Sequence, residues 1–274
     1  MNALTRGALP LIALFGLTLP ARGEEKPSPI ADKNLEAAVR AVLQETKPLT
    51  DESLNKVFVL EAPGKGIKSL KGLEKCKNLS LLKVTKNEIS DLTPLKDLTN
   101  LQSLDLAGNK IADAAPLAGL VGLQYLELSD NQVAKLDPLK GLTKLSALYL
   151  SGNKVADLTP LGSLTKLSSL SLARNQVKDL GPLAKVTRLS TLDLNENQIA
   201  DLTALTKQTE LSLLMLEKNK ITDLAPLVGW CKADAAGMKR FAPHLRLYLK
   251  GNALSDAGKK QLEELKKIGV KVDF

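Results

Sequence analysis

Asparagine recurs at positions 87, 109, 131, 153, 175, 197 and 219, every 22 residues. Apolar columns keep the same register. Leu stands eight and five residues before each of these Asn, Leu or Val three before, and Ile or Val two after. A pattern held over seven copies forces the chain to build one 22-residue unit repeatedly. The Leu-x-Leu portion alternates as a strand does, with its leucines inward and the intervening residues outward. One such unit cannot bury its own apolar side, but stacked units bury one another. Composition agrees: 58 of 274 residues are Leu and only 3% are aromatic, so one branched side chain fills a repeated layer.

The Asn must turn inward where each strand ends, because Ile or Val two residues later is core again. A buried amide is costly without partners, so the column predicts a ladder of side-chain-to-backbone hydrogen bonds between loops. Asp usually stands four residues after each Asn (91, 113, 157, 179, 201, 223) and Pro three further on (94, 116, 138, 160, 182, 226). Asp suits a helix N-cap and Pro a first helical turn. A short helical turn, 3₁₀ in geometry, is therefore expected opposite the strands. The Asp column lacks the dense oxygen ligands that calcium wants. The whole unit, L-x-x-L-x-L-x-x-N-x-I/V, resembles the leucine-rich repeat. In its N-x-I-x-D-L-x-P-L form it is similar to the internalin-like class of bacterial repeats, over roughly residues 30–274. The resemblance implies an α/β solenoid: a right-handed horseshoe with a parallel concave sheet and short 3₁₀ turns on the convex side. It also implies a binding surface on the concave sheet.

The repeat array spans 57–254. Val57, Leu60, Lys65 and Ile67 form a degenerate first turn, and Asn252 lies 33 residues past Asn219, which places an 11-residue insertion within 228–243. Trp230, in that insertion, keeps the register of Leu98, Leu120, Leu142 and Leu164 and is expected to fill the core. About nine strands result, which at roughly 4.8 Å each span about 38 Å. Both ends of such a core need covers. Residues 24–56 read as a linker and helical N-terminal cap. A helix over 30–44 turns Leu35, Val39, Val42 and Leu43 inward, and a second short helix starts near Thr50 or Asp51. The segment 255–274 reads as an amphipathic helix (Leu262, Leu265 and Ile268 inward) followed by a short strand.

Residues 1–23 carry Arg6, an apolar stretch from Ala8 to Leu19 and the small-x-small site Ala21-Arg22-Gly23. They read as a cleavable signal peptide cut near Gly23, since the stretch is shorter than the roughly 20 residues of a bilayer span. The remaining chain has 36 basic and 30 acidic residues. That modest excess does not point to nucleic acid. Cys76 and Cys231 fall about 34 Å apart at roughly 4.8 Å per strand, beyond the reach of a disulfide, and so are expected as two free thiols. The single His244 offers little for zinc or triad chemistry. No cofactor or metal is implied, and a monomer is expected.

Specificity must then sit on the outward strand positions. Most are small and polar. Tyr125 and Tyr149 lie on adjacent strands beside Asp105 and Glu127, while Leu213, Met215 and Tyr248 form a second, apolar spot and Asp193 lies between. Tyr is a favoured interface anchor. The expected function is an exported, non-catalytic module that binds a protein partner through this face. The alternative is an envelope polysaccharide held by the same face or by the basic flank of Lys144, Lys166 and Arg188.

Overall fold

A computed structural model describes residues 28–274; the expected signal segment 1–23 lies outside them. Ten three-residue strands form one open, parallel sheet in sequence order. They are β1 (Val59–Glu61), β2 (Leu81–Lys83), β3 (Ser103–Asp105), β4 (Tyr125–Glu127), β5 (Ala147–Tyr149), β6 (Ser169–Ser171), β7 (Thr191–Asp193), β8 (Leu213–Met215), β9 (Arg246–Tyr248) and β10 (Lys271–Asp273). The register advances by the sequence period: Leu82 pairs with Leu104 and Leu104 with Leu126. The step lengthens at the insertion, where Leu214 pairs with Leu247, and again at the last strand, where Leu247 pairs with Val272. The middle residue of each strand from β1 to β9 is fully buried and its neighbours stay at least partly exposed.

Opposite the strands the chain makes 3₁₀ turns such as Thr93–Leu95, Ala115–Leu117 and Thr159–Ser163, each with Pro in its first turn. The Asp column starts these turns, though not as helix caps. The cap position holds Leu92, Ala114 or Leu158 without a side-chain bond. Asp91 and Asp157 sit one residue earlier and accept the amides of Thr93 and Thr159 at 2.8 Å. This is an Asx turn, the local alternative these side chains offer the backbone.

Each Asn carries the expected ladder. The Asn153 Oδ1 accepts the amide of Val133, one turn back, at 2.8 Å. Its Nδ2 donates to the Leu150 carbonyl of its own turn at 3.0 Å and to Leu128 of the previous turn at 2.9 Å. Asn87, Asn109, Asn131, Asn175, Asn197, Asn219 and Asn252 repeat the pattern. The residue before the Asn is left-handed in each of these turns. It is Gly108, Gly152 or Gly251 in three of them, but Lys86, Asp130, Arg174, Glu196 and Lys218 take φ of 53–55° in the others. That conformation is uphill for side-chain-bearing residues, and the three bonds of the following amide offset it.

The N-terminal end is closed by α1 (Lys33–Leu43) and α2 (Asp51–Leu54). Leu35 and Val39 are buried as expected, but Val42 is 45% exposed, because the helix ends one residue later and turns that face to solvent. Asp32 fastens α1 to the first repeat. One oxygen caps the helix by accepting the amides of Asn34 and Leu35; the other accepts those of Lys68 and Ser69 at 2.8 and 3.2 Å. Burial alone would raise this carboxyl, but the four amides outweigh it and hold it below its usual range. At the far end, α4 (Asp256–Ile268) buries Leu262 and Leu265 and leaves Ile268 partly covered. A side chain at Gly258 would meet the Thr222 carbonyl at 2.5 Å, so glycine sets how closely α4 approaches the last turn.

The insertion is a full helix, α3 (Ala225–Ala236), in place of a 3₁₀ turn. Trp230 lies on it, 8% exposed, stacked on Phe241 at 4.0 Å, with Nε1 donating to the Gln208 carbonyl. Gln208 occupies the neighbouring leucine slot. Its Nε2 donates to Leu183, while its buried Oε1 has no protein partner. Asp234 folds the return loop by accepting the amides of Arg240, Phe241 and Ala242. Cys76 and Cys231 are free and buried; burial first, then Glu74 and Asp234 respectively, push both thiols up to about 12.

Two outcomes follow. Asn153→Ala strands a buried amide and two carbonyls, so urea denaturation should show a loss of about 3 kcal/mol or more, against a few tenths for the exposed Lys154→Ala; equal losses would refute the ladder. Asp32→Ala should cost about 1–2 kcal/mol at pH 7, the size of a lost cap. Because the folded carboxyl lies below its unfolded value of 3.8, its contribution is complete above that value and fades as pH falls through the folded one. Melting curves of wild type and variant should therefore converge in strong acid, and a gap that persists there would contradict this account.

Candidate functional site

The parallel register converts the outward positions into two rows across the concave face. One row runs Asp105, Glu127, Tyr149, Ser171, Asp193, Met215, Tyr248, each the direct cross-strand partner of the next. The other runs Ser103, Tyr125, Ala147, Ser169, Thr191, Leu213, Arg246. Six of the eight residues expected to form the site thus share a single row, and Tyr125 and Leu213 lie in its neighbour.

The structure brings Tyr125 and Tyr149 together. They are diagonal neighbours, since Glu127 is two residues after Tyr125 and directly opposite Tyr149. Their ring centroids are 5.6 Å apart and tilted by 47°, within the range of a favourable aromatic pair. Both are half-buried. Ala147, opposite Tyr125, and Ser171, beyond Tyr149, are short and leave the rings open on those sides. Burial and then the carboxylates of Glu127 and Asp105 push the Tyr125 phenol up to about 12.

The adjacent carboxylates are held rigidly. Glu127 Oε1 accepts the Ser129 amide at 2.7 Å and Asp105 Oδ1 the Ala107 amide at 3.3 Å. Lys83 comes to 4.0 Å of Asp105. Glu127 has no ion-pair partner among the described residues. Burial raises its carboxyl; the Ser129 hydrogen bonds oppose this, and the charges of Asp105 and Asp130 add to it, leaving it above the usual carboxylate range.

Asp193 sits two strands from Tyr149 and belongs to a polar relay that the sequence did not single out. Ser151 and Ser171 hydroxyls meet at 2.6 Å, Ser171 donates to Asp193 Oδ2 at 3.0 Å, and Asn195 Oδ1 accepts the Glu217 amide at 2.7 Å. Ser151, Ser171 and Asn195 were visible as members of the outward columns, but nothing in a column says which hydroxyls will meet. Met215 and Tyr248 are direct partners at the C-terminal end, and Leu213, opposite Arg246, is the diagonal neighbour of Tyr248. His244 is exposed on the turn Ala242–His244, and no group of acids, His and Cys suited to a metal occurs among the described residues.

A family model for leucine-rich repeats, two copies to a match, fits residues 77–119, 99–141, 121–163 and 165–207. Internalin C2 of Listeria monocytogenes is 36% identical, with a TM-score of 0.71, over 73% of this chain and 92% of that one. The chain belongs to the internalin-like leucine-rich repeat family. The functional domain of InlJ from the same organism, which includes a cysteine ladder, shares the fold at 24% identity and a TM-score of 0.59, over 84% of this chain and 53% of that one. A leucine-rich repeat protein of Leptospira interrogans does so at 21% and 0.53, over 74% and 62%. No curated protein sequence matches. The internalin-like repeat is a fold typical of protein–protein interaction modules. No helix among the described residues is long and apolar enough to cross a membrane.

Glu127→Gln keeps the acceptor for Ser129 and removes a charge that the fold disfavours. Its folded carboxyl lies above the ordinary value, so ionisation costs stability as pH rises through that range. The variant should therefore melt above wild type at pH 7, with the gain shrinking as pH is lowered and the native carboxyl takes up its proton. A variant that melts lower at pH 7 would show that the carboxylate stabilises the sheet.

Proposed function

We propose that this internalin-like chain is an exported, non-catalytic binding protein that recognises a protein partner on its concave face. The observation that carries the reading is the Tyr125–Tyr149 pair, 5.6 Å between centroids, on a sheet face that is otherwise mostly small and polar. Large, stiff rings held half-buried by the sheet lose little entropy on binding. Asp105 and Glu127 border them, and Asp193, Met215, Tyr248 and the neighbouring Leu213 extend the contact along the sheet. Export rests on the signal-like segment 1–23. Family membership supports the binding role.

A second reading has its own observation. Lys144, Lys166 and Arg188 stack on successive turns of the flank, exposed, and none is ion-paired among the described residues. An anionic envelope polymer would meet that column, with binding that weakens as salt rises.

Immobilised protein would be exposed to secreted and envelope fractions, and the affinity of each captured partner measured with purified material. Tyr125→Ala with Tyr149→Ala should weaken the partner by roughly 10- to 100-fold, the cost of losing two anchors at about 1–2 kcal/mol each. Lys144→Gln, Lys166→Gln and Arg188→Gln together should leave it unchanged. The opposite outcome, loss only in the basic-flank variant, would move the site to the flank.

A further inference from the structure

The concave face is segregated by charge. Over β3 to β8 the outward strand positions, with the position two before each Asn, make eighteen sites; Asp105, Glu127, Asp193 and Glu217 are acidic and none is basic. The chain as a whole is basic, with 38 Lys and Arg against 30 Asp and Glu. The bases of the face lie at its two ends, Lys83 on β2 and Arg246 on β9, and Arg174 and Lys218 at its rim are paired with Asp130 and Glu196 at 2.9 and 3.3 Å. Asp130 reaches Arg174 across Gly152, where a side chain would collide with Asp130 Oδ1.

We infer that the concave face takes a cationic segment of a protein partner, with an Arg or Lys side chain seated over Glu127, between Asp105 and the Tyr149 ring. This rests on the concave-face reading above. Three observations meet at that point. Glu127 is the direct cross-strand partner of both Asp105 and Tyr149, so two carboxylates and an aromatic ring line one short stretch of the row. The carboxylates are cross-strand neighbours; Lys83 comes to 4.0 Å of Asp105, and Glu127 has no ion-pair partner among the described residues. Both are anchored through one oxygen to a backbone amide, so a guanidinium can approach Glu127 Oε2, and Asp105 Oδ2 past its long contact with Lys83, without reorganising the sheet. An aromatic face beside paired acids is the arrangement that holds a cation, by ring quadrupole and ion pair together. Beyond it, Asp193 and Glu217 continue the negative track towards the C-terminal end, which fits a segment carrying several bases rather than a single ion.

The test uses a synthetic probe, acetyl-(Arg-Gly)4-amide, and its uncharged counterpart with citrulline at each Arg, titrated into isotopically labelled protein. The Arg peptide should shift amide resonances of Ser103–Asp105, Tyr125–Glu127 and Ala147–Tyr149, and the citrulline peptide should not. Asp105→Asn with Glu127→Gln should raise the Kd at least tenfold. Equal shifts from both peptides, shifts confined to other acidic surfaces such as Glu263 and Glu264, or undiminished binding by the double variant would each overturn the inference. The natural partner separates this failure from failure of the broader reading. A partner weakened by the Tyr variants but indifferent to Asp105→Asn with Glu127→Gln would refute the cationic segment and leave the concave face standing. A partner indifferent to both would refute the two together.

Discussion

Every turn of this solenoid depends on one side-chain amide. Asn accepts an amide hydrogen of the turn behind and donates to carbonyls of its own turn and the previous one, as Asn153 does with Val133, Leu150 and Leu128. The loops between strand and convex turn have no ladder of their own, and their polar groups would otherwise be buried unpaired. The amide supplies the missing partners and fixes the distance between neighbouring turns. Leucine packing then follows, because inward side chains in adjacent layers meet at a set spacing and fill the core without voids. No carboxylate could replace the amide, since it cannot donate to the two carbonyls.

That regularity makes the exceptions informative. Where the period lengthens, α3 replaces a 3₁₀ turn and Trp230 takes a leucine slot, braced by Phe241 and the Gln208 carbonyl. Where the array begins, Asp32 does for the cap what Asn does for the repeats: one side chain satisfies amides in two elements. Both joints lie at the ends of the spine, where no identical neighbour exists to supply the bonds.

The concave face inherits its precision from the same spine. Strands in strict parallel register place chemically chosen side chains in rows, and the sheet holds them half-buried before any partner arrives. Glu127 illustrates the consequence. The fold pushes its carboxyl up, and no described residue pairs with it, so the residue is a local cost to stability. Such a cost is understandable where the charge has a use outside the fold.

The sequence by itself determined the architecture. A period of 22 with inward columns at fixed offsets admits only a stacked parallel sheet, and it located the strands, the Asn ladder, the capping helices and the separated thiols. It also placed Tyr125, Tyr149 and the acids on one face, because strand alternation assigns faces residue by residue. What it left open depended on contacts between residues of different turns. The Asp column proved to make Asx turns rather than helix caps, since the position of the first helical residue is set by backbone packing. Val42 faces solvent because α1 ends one residue after it. The Tyr pair, the Ser151–Ser171–Asp193 relay and the Asp234 clasp arose only in the folded chain. Periodicity fixes which way a side chain points; the distance and orientation of its neighbours across turns are fixed by how the layers settle against one another.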